Sequence, residues 1–121
     1  GHGSLDKWGK DDVFTEGAVT LLDNSDTAPP IVLQFTCLTG FFAHPTVQSI
    51  SEALLTSDSG PVLLLGATSL TLSTSQEPLA IGLLNELQRS ENLRIGDALN
   101  IAKANLDVSN NGIREVSDTF G

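Results

Sequence analysis

One cysteine and two histidines are the residues of this 121-residue chain from which nucleophilic chemistry could be built. A cysteine attacks as its thiolate, so it needs a base or a cation close by. Cys37 follows the run Ile31-Val32-Leu33-Gln34-Phe35-Thr36, and His2 stands between Gly1 and Gly3. Glycine on both sides lets the backbone come close to a substrate and leaves the imidazole uncrowded. If the loop over residues 1–8 lies beside the end of the 31–36 strand, His2 can meet Cys37. The backbone N–H groups of Gly3 and Cys37 are then candidate donors to a developing oxyanion. His44, ahead of Pro45 and on the same loop as Cys37, is the rival base.

Each of these residues also has a plainer reading. A lone cysteine at a strand end is, on composition alone, more often a small buried hydrophobe. Gly-His-Gly at a chain start is as readily a loop or an expression scar, and His44 is most simply a loop residue. Trp8 reads first as a packed aromatic covering its loop and second as the lining of a specificity pocket. The Ser/Thr series from Thr68 to Ser75 is more often a solvated loop than a substrate wall.

The elements that must position these groups follow from the pattern. Residues 1–12 read as a loop. Ala18, Val19, Leu21 and Leu22 suit a short helix over 15–23, ended by Asn24-Ser25-Asp26. Pro29-Pro30 leads into the apolar run at 31–36, which reads as a strand buried on both faces, the signature of a parallel sheet. A loop over 38–45 precedes a helix at 47–57, and Val62 to Ala67 form a second buried strand. A Ser/Thr-rich loop follows. Pro78 suits the first turn of the next helix, whose apolar face is Leu79, Leu83, Leu84 and Leu87. Gly96-Asp97 separates it from a helix with Ala98, Leu99, Ala102 and Leu106, and Asn110 caps a last helix holding Ile113 and Val116. The order predicts an α/β fold with parallel strands. In such sheets ligands gather beyond the carboxyl ends of the strands, where Cys37 and the loop from Thr68 both fall.

Composition narrows the function. Hydrophobic residues at 40% and charged residues at 17% are a globular balance. Six basic against fifteen acidic residues give a net charge of −9, which argues against nucleic acid or an anionic membrane as partner. A single cysteine excludes an internal disulfide, and no Cys/His cluster offers a zinc site. The longest apolar run, Val62 to Leu65, is far too short to span a membrane. The chain opens on Gly1-His2-Gly3 and stops on Thr119-Phe120-Gly121, which reads as a fragment, roughly the second half of a larger domain.

Gly1-His2-Gly3-Ser4 followed by Trp8 resembles the histidine motif of the gingipain-like cysteine peptidases. Thr36-Cys37-Leu38-Thr39-Gly40-Phe41-Phe42 is similar to their nucleophile motif. Ser51-Glu52-Ala53-Leu54-Leu55, Val62 to Ser69 and Gly96 to Lys103 resemble the elements that follow. The likeness runs in order over nearly the whole chain. It implies that residues 1–121 are a partial caspase-like catalytic domain, with a mostly parallel sheet flanked by helices, that hydrolyses peptide bonds through an acyl-enzyme. Cys37 would be the nucleophile and His2 the general base and acid, with the Gly3 and Cys37 backbones as oxyanion donors. Thr68 and Ser69 would form part of the S1 wall. The resemblance further implies a protein or peptide substrate, no cofactor, and a secreted or cell-surface bacterial protein. The calcium sites of relatives find no ligand cluster here. A reading from a different class is a non-catalytic caspase-like or CHAT-type interaction module; the presence of both His2 and Cys37 favours catalysis.

Overall fold

The computed structural model describes residues 1–24, 26–89 and 92–121, so the turn expected around Ser25 lies outside the described residues. The chain divides into two compact units, residues 1–70 with 120–121 and residues 71–119.

In the first unit the centre is a parallel pair of strands. Two of the elements read from the sequence, β3 (Ile31–Gln34) and β4 (Leu63–Gly66), run side by side with Ile31 opposite Leu63 and Gln34 opposite Gly66. Both strands are shorter than their apolar runs, and they are not buried on both faces. Ile31 is exposed and Val32 and Leu33 are half-buried, because among the described residues only β4 pairs with β3. Beyond β4, Ala67 forms an isolated antiparallel bridge with Phe120, whose ring stacks on Phe35 at 5.4 Å.

The segment read as a loop at 1–12 holds a strand. β1 (Lys7–Trp8) pairs antiparallel with β2 (Phe14–Thr15), and the helix expected over 15–23 shrinks to α1 (Glu16–Val19). The hairpin was hidden because its turn needs two left-handed residues and only one is glycine: Gly9 at φ 77 and Asp12 at φ 51. Trp8 lies 4.7 Å from Phe14, centroid to centroid, and both pack against a core of Val19, Ile50, Ala53 and Leu54. That core joins the hairpin to α2 (Ile50–Thr56).

α2 begins three residues later than its apolar spacing suggested because Ser49 caps it. The Ser49 hydroxyl accepts from the Glu52 N–H at 3.3 Å, and the Ser49 N–H donates to the Glu52 carboxylate at 2.8 Å. This reciprocal box satisfies two donors that a helix start otherwise leaves open. The same backbone bond holds the Glu52 carboxyl below the usual glutamate range. At the other end Gly60 closes the turn onto the Ser57 carbonyl. A Cβ at Gly60 would overlap the Leu54 carbonyl oxygen.

The second unit is helical: α3 (Ser73–Arg89), α4 (Ile95–Ala104) and α5 (Asn111–Thr119). Leu79, Leu83, Ala98, Ala102 and Val116 are buried in it. α3 starts five residues before Pro78, so the proline lies inside the helix and not in its first turn. The Gln76 amide, donating to the Thr71 hydroxyl at 2.5 Å, pins the extra turn. α4 runs through Gly96 and Asp97, with Asp97 paired to Arg94 at 2.9 Å, and Leu106 falls outside it. The Asn110 side chain accepts from the N–H groups of Gly112 and Ile113, the cap read from the sequence.

Two outcomes follow for stability, both measurable by denaturant unfolding. Ser49→Ala removes the cap and lowers stability by about 1 kcal/mol. Because the Glu52 pKa is depressed in the folded state, the box contributes fully above the ordinary glutamate value. It is lost as pH falls through the lowered one, so Glu52→Gln, which removes the titrating carboxylate, flattens that acid limb. Gly60→Ala forces a side chain against fixed backbone and costs about 1–3 kcal/mol.

Candidate active site

Cys37 stands where β3 gives way to a tight turn. Strand pairing ends at Gln34, and the Thr36 N–H turns back to donate to the Gln34 carbonyl at 2.9 Å. Leu38, next after Cys37, has φ 58, the left-handed region that costs a branched side chain about 1–2 kcal/mol. Hydrogen bonds around it hold that conformation. The Leu38 N–H donates to the Ser69 carbonyl at 3.1 Å and the Gly40 N–H to the Ala67 carbonyl at 2.9 Å. The Ser51 N–H of α2 donates to the Thr39 carbonyl at 3.1 Å. The turn is thereby fastened to the segment that leaves β4 and to the first turn of α2.

The Gly1-His2-Gly3 segment lies directly on the end of this strand. The Gly1 nitrogen donates to the Phe35 carbonyl at 2.9 Å. A Cβ at Gly1 would lie 3.3 Å from Thr36 Cγ2. One at Gly3 would lie 2.8 Å from Thr36 Oγ1 and 3.0 Å from the Cys37 carbonyl oxygen. Gly3 leaves no room for a side chain at this approach, and Gly1 leaves a tight one. His2 is carried between two points that each touch residues 35–37. The conditional contact read from the sequence, of the first loop against the strand end, is the arrangement the chain adopts.

The loop behind His2 is fixed in turn. The His2 carbonyl accepts from the Gly9 N–H at 2.9 Å, and the Ser4 N–H donates to the Lys7 carbonyl at 3.0 Å, which sets Gly3 opposite Trp8. This leaves the Gly3 N–H without a hydrogen-bond partner among the described residues. The Ser4 hydroxyl donates to Asp6 at 2.6 Å and holds its carboxyl below the usual range. The Ile50 N–H donates to the Leu5 carbonyl at 2.6 Å and ties the loop to α2. Lys7 and Asp12 pair at 2.5 Å across the hairpin.

The two histidines are held differently. His44 Nδ1 accepts from the N–H groups of Val47 at 3.0 Å and Thr46 at 3.4 Å, and its ring meets the Phe41 ring edge-on. An imidazole that accepts at Nδ1 carries its proton on Nε2 and acts as a cap for its own loop. His2 has no such tie and its side chain is exposed.

Trp8 is half-buried and packs on the core with Phe14, the first of its two readings. Thr68 and Ser69 follow the bridge at Ala67 and are half-buried. Thr68 lines a cavity of about 340 Å³ with Gly40, Phe42, Leu55 and Leu64. Among the described residues no group of three or more His, Cys, Asp or Glu side chains is gathered for a metal ion. No described helix is long and apolar enough to cross a membrane. The sequence reading missed Thr36 and Thr39 as parts of the site. Their one signal was adjacency to Cys37, and the left-handed Leu38 had none.

The fold has solved counterparts. The structure of a complex of Porphyromonas gingivalis RgpB pro- and mature domains superposes with a TM-score of 0.78 at 22% identity. It is matched over 98% of this chain and 30% of that one. The crystal structure of the Arg-specific cysteine proteinase gingipain R (RgpB) gives 0.73 at 20% identity, over 98% of this chain and 29% of that one. This chain thus spans about 30% of the length of these structures. The likeness shows the same α/β fold as part of a larger domain. No curated protein matches. The model of peptidase family C25 matches residues 1–120, so the chain belongs to that family, the gingipain-like cysteine peptidases.

Proposed function

We propose that this chain carries the reacting pair of a cysteine endopeptidase, with Cys37 as nucleophile and His2 as general base and acid. The observation that carries this reading is the approach of Gly1 and Gly3 to Thr36 and Cys37, with His2 between them. In the first step the Cys37 thiol gives its proton to His2 as sulfur bonds to the scissile carbonyl carbon. The carbonyl oxygen takes up the negative charge, facing the backbone N–H groups of Gly3 and Cys37. His2 then passes the proton to the departing amine, and an acyl-enzyme remains. Water enters, gives a proton to His2 and attacks the acyl carbon. Collapse of that intermediate returns the proton to sulfur and releases the new carboxylic acid.

The unpartnered Gly3 N–H supports its role as a donor, since a site for an oxyanion needs an N–H not already spent on the fold. Thr68 and Ser69 would contact the substrate. The Leu38–Ser69 bond supports this, because it ties their segment to the turn that bears the nucleophile. Trp8 serves this reading by holding the loop opposite Gly3, and any substrate contact would come from its exposed part. The His44 tie to Thr46 and Val47 favours His2 as the base. The substrate would be a protein or peptide, and the full-length protein would act outside the cell.

In the full-length protein Cys37→Ala abolishes turnover and labelling by a panel of peptidyl electrophiles that differ in the residue before the cleaved bond, while the thermal transition is kept. His2→Ala lowers kcat/KM by about 10²–10⁴-fold, the range for loss of a general base. Full turnover in the cysteine variant would leave the interaction-module reading in its place. Gly3→Ala keeps both reacting side chains and lifts the His2 segment off the strand end. It costs about 10²-fold in kcat, the scale of a displacement near 1 Å.

A further inference from the structure

Thr36 lies against both of the glycines that flank His2 and has no part in the chemistry expected of the pair. Thr36 presents both branches of its Cβ to the His2 segment. Its methyl group meets the Gly1 side, where a Cβ would lie 3.3 Å away, and its hydroxyl meets the Gly3 side, where the figure is 2.8 Å. The Thr36 hydroxyl also donates to the Thr39 hydroxyl at 3.2 Å, and Thr39 is fully buried. A β-branched residue has little freedom at χ1, and this bond removes what remains. Thr36 is thus a rigid wedge with the segment bearing the base resting on it and the nucleophile as its next neighbour.

We propose that Thr36 is a positioning residue that sets the height of His2 above Cys37. It touches no reacting atom. It acts by fixing the two glycines between which the imidazole is hung, so its shape decides how well the base and the thiol are coupled. The proposal rests on His2 and Cys37 being the reacting pair. It makes shape, not hydrogen bonding, the property that matters. A valine keeps both branches and the same stiffness without the hydroxyl. An alanine removes both branches and lets the segment settle.

The test is the pH dependence of Cys37 alkylation by iodoacetamide in the full-length protein, read beside kcat, KM and the thermal transition. Coupling to a histidine brings a thiol's apparent pKa below its ordinary value of about 8.5. Thr36→Ala is expected to move the profile from that of wild type toward that of His2→Ala and to lower kcat by about tenfold or more, with KM within about twofold. Thr36→Val is expected to keep the wild-type profile. Thr36→Ser removes only the methyl under Gly1 and gives a smaller change in the same direction. It replaces the alanine variant if that one loses its thermal transition. Wild-type behaviour in both Thr36→Ala and Thr36→Ser overturns the proposal, and so does a valine variant as impaired as the alanine. His2→Ala separates the two levels. If wild type and His2→Ala alkylate with the same profile, the pairing of His2 with Cys37 falls and this proposal with it. If they differ while Thr36→Ala matches wild type, only the positioning role falls.

Discussion

Parallel pairing of Ile31–Gln34 with Leu63–Gly66 is the constraint on which the rest of the site depends. Two parallel strands finish at the same edge, so the residues that follow them emerge side by side. Cys37 leaves one strand there and Thr68-Ser69 leave the other. An antiparallel pair would have sent them to opposite ends. The segments are then clamped by the bonds from Leu38 to Ser69 and from Gly40 to Ala67. Each such bond contributes about 1 kcal/mol net, and together they are of the size needed to hold Leu38 in its left-handed conformation. The strain at the turn is kept because the sheet supplies fixed acceptors on the far side.

The second constraint is the absence of side chains. Gly1 and Gly3 lie so close to Thr36 and Cys37 that a methyl group at either would press on them. The site is therefore assembled largely from backbone. Among the described residues Gly3 has an N–H left over, while the N–H groups of Leu38 and Gly40 are spent on tethering. Side chains do the locating from behind. Thr36 wedges the His2 segment, Trp8 anchors its hairpin in the core, and Ser49 with Glu52 starts the helix whose second residue, Ser51, holds the Thr39 carbonyl. Both of the segments that carry the candidate pair are bonded to α2, through Leu5 to Ile50 and through Thr39 to Ser51. α2 is the common reference against which the segments of the proposed base and nucleophile are placed.

Much of this could be read from the chain, and the failures have physical causes. The two apolar runs gave the parallel pair, since β-branched and leucine-rich stretches after a proline or a glycine have few other uses. They overstated burial, as at Ile31, because an apolar run reports what a full sheet would cover and not how many neighbours the described chain supplies. The hairpin at Lys7–Thr15 was hard to see because Asp12 takes a left-handed conformation without being glycine, which left Gly9 as the turn's single glycine mark. Pro78 was read as a helix start because its missing N–H costs least there. The Ser/Thr stretch ahead of it instead forms a first turn pinned by Gln76 and Thr71, a contact no local pattern announces. At the site, residue types pointed to His2 and Cys37. Their neighbourhood depended on a contact between segments distant in sequence, and that follows from glycine only once the fold has brought the segments together.

The treatment of the two histidines shows how the fold can separate equivalent residue types. His44 is nearer to Cys37 in sequence and lies on the same loop. Its Nδ1 accepts from two backbone N–H groups and so caps the turn from His44 to Val47. A base that must accept and release a proton in every cycle is poorly served by a ring whose acceptor nitrogen is structural. His2 is joined to the fold through its backbone, by its carbonyl to Gly9 and by its glycine neighbours to the strand end. Attachment through the backbone, with the acceptor nitrogen of the ring not tied into a cap, is what favours His2 over His44 as the proposed base.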